Sequence, residues 1–230
     1  MTTEYFQNGQ VLLIDKPLTW SSFDVVNKLR YSIRKKFNIK KIKVGHAGTL
    51  DPLATGLLII CTGKFTKKIN EYQGLPKEYT GTISLGATTP SYDLESEINK
   101  TFPTEHITEK LIRETTQQFT GEIQQKPPLF SAIKKGGKRL YEIARKGGTV
   151  EIPTRLVTIH EFEITKINLP VVDFRIVCSK GTYIRSIAND FGEALNSGGH
   201  LAALRRTKIG DFSVENAITP IGFVEKLDLD

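Results

Sequence analysis

The stretch from Val44 to Gly63 constrains this chain most, because it sets one acidic side chain between glycine-rich turns and an apolar run. It reads VGHAGTLDPLATGLLIICTG. The apolar run at 57–61 is short and ends at Thr-Gly, which predicts a buried strand rather than a helix. Pro52 fixes its own backbone φ and restricts Asp51 to extended geometry. We therefore expect a rigid loop that presents Asp51 and leans on the core of a sheet.

Asp51 has several competing interpretations. The sequence around Gly63 lacks the remaining residues of a phosphate-binding P-loop. The next acids are Glu71 and Glu78, so a paired-acid glycosidase mechanism has no local support. An Asp before a proline can also simply close an Asx-turn. The glycines, the histidine and the strand that surround this one carboxylate favour a functional acid.

The composition indicates a basic protein with enough apolar residues for a core. The chain has 230 residues, of which 39% are hydrophobic, and its 32 Lys and Arg outnumber its 25 Asp and Glu. A positive balance of this kind is typical of proteins with polyanionic partners. The length predicts a single domain over residues 1–230, with an elaboration.

Several classes of site have no support in the sequence. Cys61 and Cys178 lie in apolar, strand-like runs, which favours buried free thiols over a disulfide. The four histidines lack metal-ligand spacing, so neither a metal nor a cofactor is expected. No secretory signal or membrane-length apolar run occurs. We expect a cytoplasmic monomer.

Periodicity and capping signals predict an alternation of strands and helices. Ser21, with Asp24 three residues later, predicts the start of a helix that extends to about Lys36. Further helices are expected at 64–72, at 108–119 and up to about 196, and further strands at 11–14, 77–86, 155–167 and 171–178.

Two segments concentrate positive charge. The run that leads towards the Asp51 loop either forms a solvated helix end or steers phosphates towards a site; it comprises Arg34, Lys35, Lys36, Lys40, Lys41 and Lys43. Residues 124–149 form a basic segment that, by composition alone, is an ordinary surface insertion. Its positive residues include Lys134, Lys138, Arg139 and Arg145.

The dodecapeptide GHAGTLDPLATG at 45–56 closely resembles the active-site motif of the TruB family of tRNA pseudouridine synthases, which act on the T-arm uridine at tRNA position 55. The resemblance continues through the Lys-Pro segment at 16–22, where Thr19 and Ser21 replace the usual Gly and Thr. It also covers the Lys-x-Tyr strand at 77–79, the thumb at 126–145 and the Lys-Gly-Thr-Tyr-Ile-Arg motif at 180–185. It implies an α+β pseudouridine synthase fold, with a mixed, mainly antiparallel sheet flanked by helices and a basic thumb insertion.

The resemblance also implies roles for single residues. Asp51 would be the nucleophile, Arg185 its partner cation, and Tyr79 the ring that stacks on a flipped-out base. The substrate-binding set would comprise His46, Tyr183, Leu204 and Lys16. The thumb would be a clamp that orders on binding RNA, with Lys134, Lys138, Arg139 and Arg145 as its RNA-backbone residues. Tyr79 is also a candidate for the general base that removes the C5 proton, although a phenol pKa near 10 makes it a weak one.

Isomerisation of uridine to pseudouridine keeps every atom of the substrate, in agreement with the absence of a cofactor motif. The nucleophile could attack either uracil C6 or ribose C1′, and the sequence leaves both open. Many family members carry a C-terminal RNA-binding domain of the PUA type, for which we expect no room here. The alternatives are a non-catalytic RNA-binding or tRNA-folding protein, and a hydrolase in which Asp51 activates water.

Overall fold

A computed structural model describes residues 1–131, 133–135, 137–144, 148 and 150–229, with the backbone alone at 134, 135, 138, 139 and 144. The chain divides into two compact units. The first contains residues 1–79 and the segment from Leu204 onward, and the second contains Thr80–Ala203. The single domain over residues 1–230 stays a prediction beside this division.

Strands and helices alternate through most of the chain. The strands are β1 Val11–Lys16, β2 Val44–His46, β3 Ala54–Thr62, β4 Lys77–Leu85, β5 Ala87–Thr88, β6 Lys100–Thr101, β7 Gly121–Gln125, β8 Lys134–Lys135, β9 Lys138–Arg139, β10 Arg155–Asn168, β11 Val171–Cys178, β12 Gly199–Ile209 and β13 Phe212–Ser213. The α-helices are α1 Thr3–Asn8, α2 Ser22–Lys36, α3 Ile69–Gly74, α4 Glu109–Thr115, α5 Leu140–Ala144, α6 Ile184–Ala194 and α7 Pro220–Leu229. Short 3₁₀ helices occupy Gly63–Lys68, Thr116–Phe119 and Val214–Asn216.

Strand β3 is the centre of the first unit. It pairs antiparallel with β1 and with β2, and it pairs parallel with β12 where Ala54–Gly56 lies beside Leu204–Arg206. The connection between β2 and β3 is the glycine-rich loop that carries Asp51. The β structure is therefore mixed and mainly antiparallel, as predicted.

The side chains of β3 enter two different cores, because successive side chains of a strand point to opposite faces. Leu58 and Ile60 pack in the cluster that includes the apolar side of α2 and residues of α7. Leu57 and Ile59 pack with Cys61 and Ile209 in a second cluster. Burial on both faces explains why the predicted strand reads as an unbroken apolar run rather than an alternating one.

The second unit contains the neighbouring strands β4, β11, β10 and β7, in that hydrogen-bonded order. β10 and β11 form an antiparallel hairpin, and β7 pairs antiparallel with the start of β10. Ring contacts among Phe119, Phe162, Phe174 and Phe191 join this sheet to α6. The hairpin predicted at 155–178 is confirmed.

Local capping signals in the sequence located the starts of α2 and α4. The capping box is present, with the Ser21 hydroxyl accepting from the Asp24 N–H and the Asp24 carboxylate accepting from the Ser21 N–H, so the predicted start of α2 is confirmed. Thr108 caps α4 as predicted, and Cys61 and Cys178 are buried free thiols. In contrast, the sequence pattern predicted neither β12 nor α7.

The segment predicted to act as a thumb is described only in part. Strands β8 and β9 pair as a small antiparallel hairpin, followed by α5. Arg145 lies outside the described residues, and so do the side chains of Lys134, Lys138 and Arg139. Among the described residues, no helix is long and apolar enough to cross a membrane.

Candidate active site

The loop that carries Asp51 is tied to the beginning of α2. The buried hydroxyl of Ser22 accepts a hydrogen bond of 2.8 Å from the Leu50 N–H and donates one of 3.0 Å to the Leu50 carbonyl. The Ala54 N–H donates to the Asp51 carbonyl at 3.0 Å, which closes the turn into β3. Asp51 itself is half-buried. These bonds confirm a fixed loop on the core of the first unit.

Lys16 lies beneath this loop, at the end of β1. Its side chain is fully buried, and its ammonium donates to the carbonyls of Trp20 at 2.6 Å, Pro17 at 3.0 Å and Pro52 at 3.5 Å. Burial lowers the pKa of Lys16 to about 8, and the Asp51 carboxylate opposes that change. Lys16 and Asp51 therefore interact electrostatically, and Lys16 also holds the backbone next to Asp51.

Arg206 supports the same loop from β12. It is 1% exposed, and its Nε donates to the Leu57 carbonyl at 2.7 Å. Its Nη2 donates to the Gly48 carbonyl at 3.1 Å, and its Nη1 donates to the Thr49 carbonyl at 3.5 Å. A single planar guanidinium thus joins the start of β3 to the two residues that precede Leu50 and Asp51. The sequence analysis missed this role, because the carbonyl groups that Arg206 binds lie far from it along the chain.

His46 ends β2 immediately before the loop. Burial lowers the pKa of its imidazole, and the nearby Arg206 guanidinium lowers it further, while the Gly48 backbone partly opposes both. His46 is therefore neutral at pH 7. Its Nδ1 is buried and makes no hydrogen bond of good geometry to a described residue.

Tyr79 is the last residue of the first chain segment of the first unit, and Leu204 is the first residue of its second segment. Tyr79 lies in β4 and Leu204 lies in β12. The Tyr79 side chain is 8% exposed, and it lies on the same face of β4 as the buried side chains of Lys77, Ile83 and Leu85. Leu204 is half-buried, and it pairs with Ala54 across the parallel contact between β12 and β3. Leu204 and Arg206 lie two positions apart on the strand and so on the same face.

Arg185 lies in the first turn of α6 in the second unit and is buried. Its Nη1 donates to the Ser91 carbonyl at 3.0 Å and its Nη2 to the Phe130 carbonyl at 2.8 Å. Its Nε lies 3.6 Å from the carboxylate of Asp93, which is equally buried. The sequence predicted a carboxylate partner for Arg185 in Asp51; Asp93 is one partner, and the pairing with Asp51 stays a prediction.

Tyr183 lies just before α6 and is held by two residues that the sequence analysis did not select. The Gln125 side chain accepts from the Tyr183 N–H at 2.8 Å and donates to the Tyr183 carbonyl at 3.1 Å. The Arg155 guanidinium lies 4.6 Å from the centre of the Tyr183 ring and donates to the Gly181 carbonyl. These contacts fix the backbone and one face of Tyr183.

Comparison with known proteins decides the family. The model described as "TruB family pseudouridylate synthase (N terminal domain)" matches residues 34–184, and the model described as "tRNA pseudouridylate synthase B C-terminal domain" matches residues 185–225. The chain belongs to the TruB family. The membership of the TruB family that the motif at residues 45–56 predicted is thereby confirmed.

Relatives of similar length are found within the TruB family. The tRNA pseudouridine synthase B of Flavobacterium johnsoniae is 69% identical over 99% of this chain and 100% of its own length. That of Phocaeicola vulgatus is 58% identical over 97% of this chain and 95% of its own length.

Solved structures show the same fold. A chain of the crystal structure of a Cbf5-Nop10-Gar1 complex matches with a TM-score of 0.72 at 30% identity, over 96% of this chain and 55% of that chain. A chain of the archaeal box H/ACA sRNP Nop10-Cbf5 complex matches with a TM-score of 0.70 at 27% identity, over 98% of this chain and 56% of that chain. The chain thus spans about half the length of these chains, and the α+β pseudouridine synthase fold is confirmed.

The predicted TruB site residues fall into two groups. The first unit contains Asp51, Lys16, His46, Tyr79 and Leu204, and the second contains Arg185 and Tyr183. In the first unit, Lys16 and Arg206 together hold the Asp51 loop by its carbonyl groups. A buried cation that binds backbone carbonyls fixes a loop and also leaves a positive field for a nearby carboxylate.

Proposed function

We propose that this TruB-family protein isomerises uridine to pseudouridine at position 55, in the T-arm of tRNA, with Asp51 as the nucleophile. The observation that carries the proposal is the fixed Asp51 loop, whose carbonyl groups accept hydrogen bonds from the buried cations Lys16 and Arg206. Relatives named tRNA pseudouridine synthase B, with up to 69% identity over essentially the whole chain, support the choice of tRNA.

The reaction requires an ionised carboxylate. Asp51 must attack as the anion, and a closed pocket would penalise that form. The ammonium of Lys16 interacts favourably with Asp51, and the guanidinium of Arg206 lies nearby on the Gly48 and Thr49 carbonyls. Both positive charges favour the ionised carboxylate and are not free to move away, since each is bound to several carbonyl groups.

Atoms balance without any further reactant. Asp51 forms a covalent bond to the nucleotide, the N1 link to ribose breaks, the base rotates, and the C5 link forms. The C5 proton then leaves to a base, and Asp51 is released. Attack at uracil C6 follows these steps as written, whereas attack at ribose C1′ breaks the N1 link in the first step and releases Asp51 as the C5 link forms, before the C5 proton leaves.

The remaining site residues have roles in our proposal that follow from the TruB resemblance. The target uridine is stacked in a folded T-arm and must be flipped out, at a cost of a few kcal/mol. Tyr79 would stack on the flipped base, which contributes roughly 1–3 kcal/mol. Arg185 would orient the Asp51 carboxylate with its planar fork, and Tyr183 and Leu204 would shape the uracil pocket. His46, a neutral ring, would occupy the space that the base vacates.

Tritium release from tRNA transcripts labelled at uridine C5 tests the proposal. The wild-type protein should release tritium while the RNA chain stays intact, and Asp51→Asn should release none while binding tRNA normally. Binding without release by the wild type would indicate the non-catalytic RNA-binding alternative. Cleavage of the RNA chain, or release of free uracil from it, would indicate the hydrolase. Either result would overturn the proposal.

A further inference from the structure

A cleft of about 1000 Å³ in the first unit has a strongly positive lining. Six exposed basic side chains line it, and the described lining residues include no acidic one. The six are Arg34, Lys40, Lys41, Lys43, Lys64 and Lys67.

The frame of the cleft is fixed by backbone contacts. The Gly63 N–H donates to the Lys43 carbonyl at 2.9 Å, which joins its two walls. A seventh cation, Arg30, is half-buried; its guanidinium donates to the Val44 carbonyl and to the Asn27 side chain, each at 3.2 Å. Hydrogen bonds therefore fix the backbone of the segments that carry the exposed lysines.

The arrangement is unfavourable without a ligand. Seven like charges around one cleft repel each other, and their number equals the formal net charge of +7 of the whole chain. The remaining 25 Lys and Arg, which include those of the segment 124–149, equal the 25 Asp and Glu in number. Clefts lined by one sign of charge concentrate ions of the opposite sign.

The neighbouring basic residues separate cleanly into two roles. Arg34 lines the cleft, whereas Lys35 and Lys36 do not. The Lys36 ammonium instead donates to the Asp228 carbonyl in the last turn of α7, at 3.1 Å. The basic run in the sequence therefore combines a helix contact with a cluster that faces one cleft.

The position of the cleft relates it to the Asp51 loop. Val44 and Gly45 of β2 line the cleft, and the next residue of that strand is His46, which begins the glycine-rich loop. A polymer seated in the cleft would thus lie beside the strand that leads directly into the motif.

We propose that this cleft binds the sugar-phosphate backbone of the substrate RNA, an inference that rests on the proposed function. Phosphodiester groups are the anions that recur at short intervals along such a polymer, and several lysines can each neutralise one of them. The contact is to the backbone, so it contributes affinity and position and no base specificity.

A triple variant, Lys40→Ala, Lys41→Ala and Lys43→Ala, tests this proposal in the full-length protein. The KM for tRNA should rise about tenfold or more, with kcat at saturating tRNA unchanged. The slope of log Kd against log KCl should decrease by about 2 to 3, near one unit for each lysine. Fluorescence anisotropy with labelled tRNA measures Kd, and tritium release measures KM and kcat.

Two further variants control for net charge and for folding. The matched triple Lys35→Ala, Lys100→Ala and Lys166→Ala removes the same charge from exposed positions outside the cleft. An equal loss of affinity in this control would overturn the proposal, and so would a cleft variant with wild-type Kd and salt slope. The charge-conserving triple Lys40→Arg, Lys41→Arg and Lys43→Arg should bind tRNA with wild-type Kd and salt slope, and a loss of affinity equal to that of the alanine triple would overturn the proposal.

Free phosphate is the alternative source of the same chemistry. If the cleft variant loses binding of inorganic phosphate by calorimetry yet retains wild-type tRNA affinity, the site is one for small anions, and the RNA proposal fails. The binding data also separate the two proposals of function. A wild-type protein that binds tRNA through the cleft but releases no tritium would contradict the isomerase alone.

Discussion

At the scale of single residues, the site is built on buried cations bound to carbonyl groups. Lys16 and Arg206 donate between them to the backbone of Pro52, Gly48 and Thr49, on both sides of Asp51. Hydrogen bonds from charged donors are stronger than neutral ones, and a buried donor that loses its acceptor is costly. Both cations therefore stabilise the loop and supply positive charge near the proposed nucleophile, Asp51.

Arg206→Lys tests whether the shape of the guanidinium group, and not only its positive charge, is needed to hold the Asp51 loop. A lysine keeps the charge but cannot reach Leu57, Gly48 and Thr49 together, so the free energy of unfolding should fall by about 1.5–3 kcal/mol. We also expect kcat to fall more than tenfold with a nearly unchanged KM, measured by tritium release. The neighbouring Arg205→Lys is the control, because Arg205 makes a partly exposed ion pair with Asp15 whose loss should cost about 1 kcal/mol or less. Equal effects of the two substitutions would contradict a positioning role for Arg206.

Lys16 should give the protein a distinctive dependence of stability on pH. Its pKa is about 8 in the folded protein against 10.5 ordinarily, so the unfolded chain binds its proton more tightly. Stability rises with pH wherever the unfolded state binds more protons. Relative to Lys16→Met, the wild type should therefore gain stability between about pH 8 and pH 10, by about 3 kcal/mol in full. Below pH 8 the difference should be constant.

Urea denaturation of both proteins at pH 7, 8, 9 and 10 measures this difference. Subtracting the variant's curve removes the contributions of the other lysines and the tyrosines. Parallel curves across the whole range would show that Lys16 titrates normally in the folded protein.

At the scale of elements, Arg185 joins three segments of the second unit. It connects α6 to the Ser91–Asp93 segment and to Phe130, which lies within the predicted thumb segment, four residues before β8. A positive side chain in the first turn of a helix opposes the helix dipole, and the buried Asp93 carboxylate offsets that cost. The position of Arg185 is thus set by contacts far apart in sequence.

Arg185→Lys should lose most activity, because one ammonium cannot serve two carbonyls and a carboxylate in the same plane. We expect kcat to fall at least tenfold. Asp93→Asn, which removes one charge partner of the buried guanidinium, should lower the free energy of unfolding by about 3–5 kcal/mol. Thermal or urea unfolding measures the second effect and tritium release the first. Wild-type turnover in Arg185→Lys would refute the proposed role.

The contact between β3 and β12 depends on Gly56. Its φ is 104°, and a Cβ built there would lie 2.3 Å from the Arg206 carbonyl oxygen. Gly56→Ala should therefore push β12 away and destabilise the protein by about 1–3 kcal/mol, or more with the clash. Gly74→Ala is the control, since a Cβ at Gly74 meets nothing within 4 Å. Circular dichroism melts compare the two; a similar melting temperature for both variants would contradict the close approach.

At the scale of the whole molecule, positive charge is used in two ways. Buried cations, each bound to several carbonyl groups, organise the loop that carries Asp51. Exposed cations around the cleft repel each other and are stabilised by a polyanion. The first kind is screened little by salt and the second strongly, so added KCl should affect RNA affinity far more than the chemical step.

The sequence by itself determined the local elements and the motif. The capping box predicted the beginning of α2 because one turn of helix contains both partners. The apolar run predicted β3, and the contiguous motif around Asp51 identified the family. Each of these signals lies within a few residues of the feature that it predicts.

Only the tertiary structure decided the partners of the charged residues. Arg206 lies about 150 positions from the carbonyls that it binds, and Arg185 more than 90 from Ser91. Nothing in a strand's periodicity predicts an arginine in its core, and β12 was missed for that reason. Similarly, Arg30, Lys43 and Lys64 line one cleft because folding brings together α2, the segment before β2 and the 3₁₀ helix that follows β3. Sequence patterns report on neighbours along the chain, whereas a buried charge is stabilised by acceptors that only folding brings within reach.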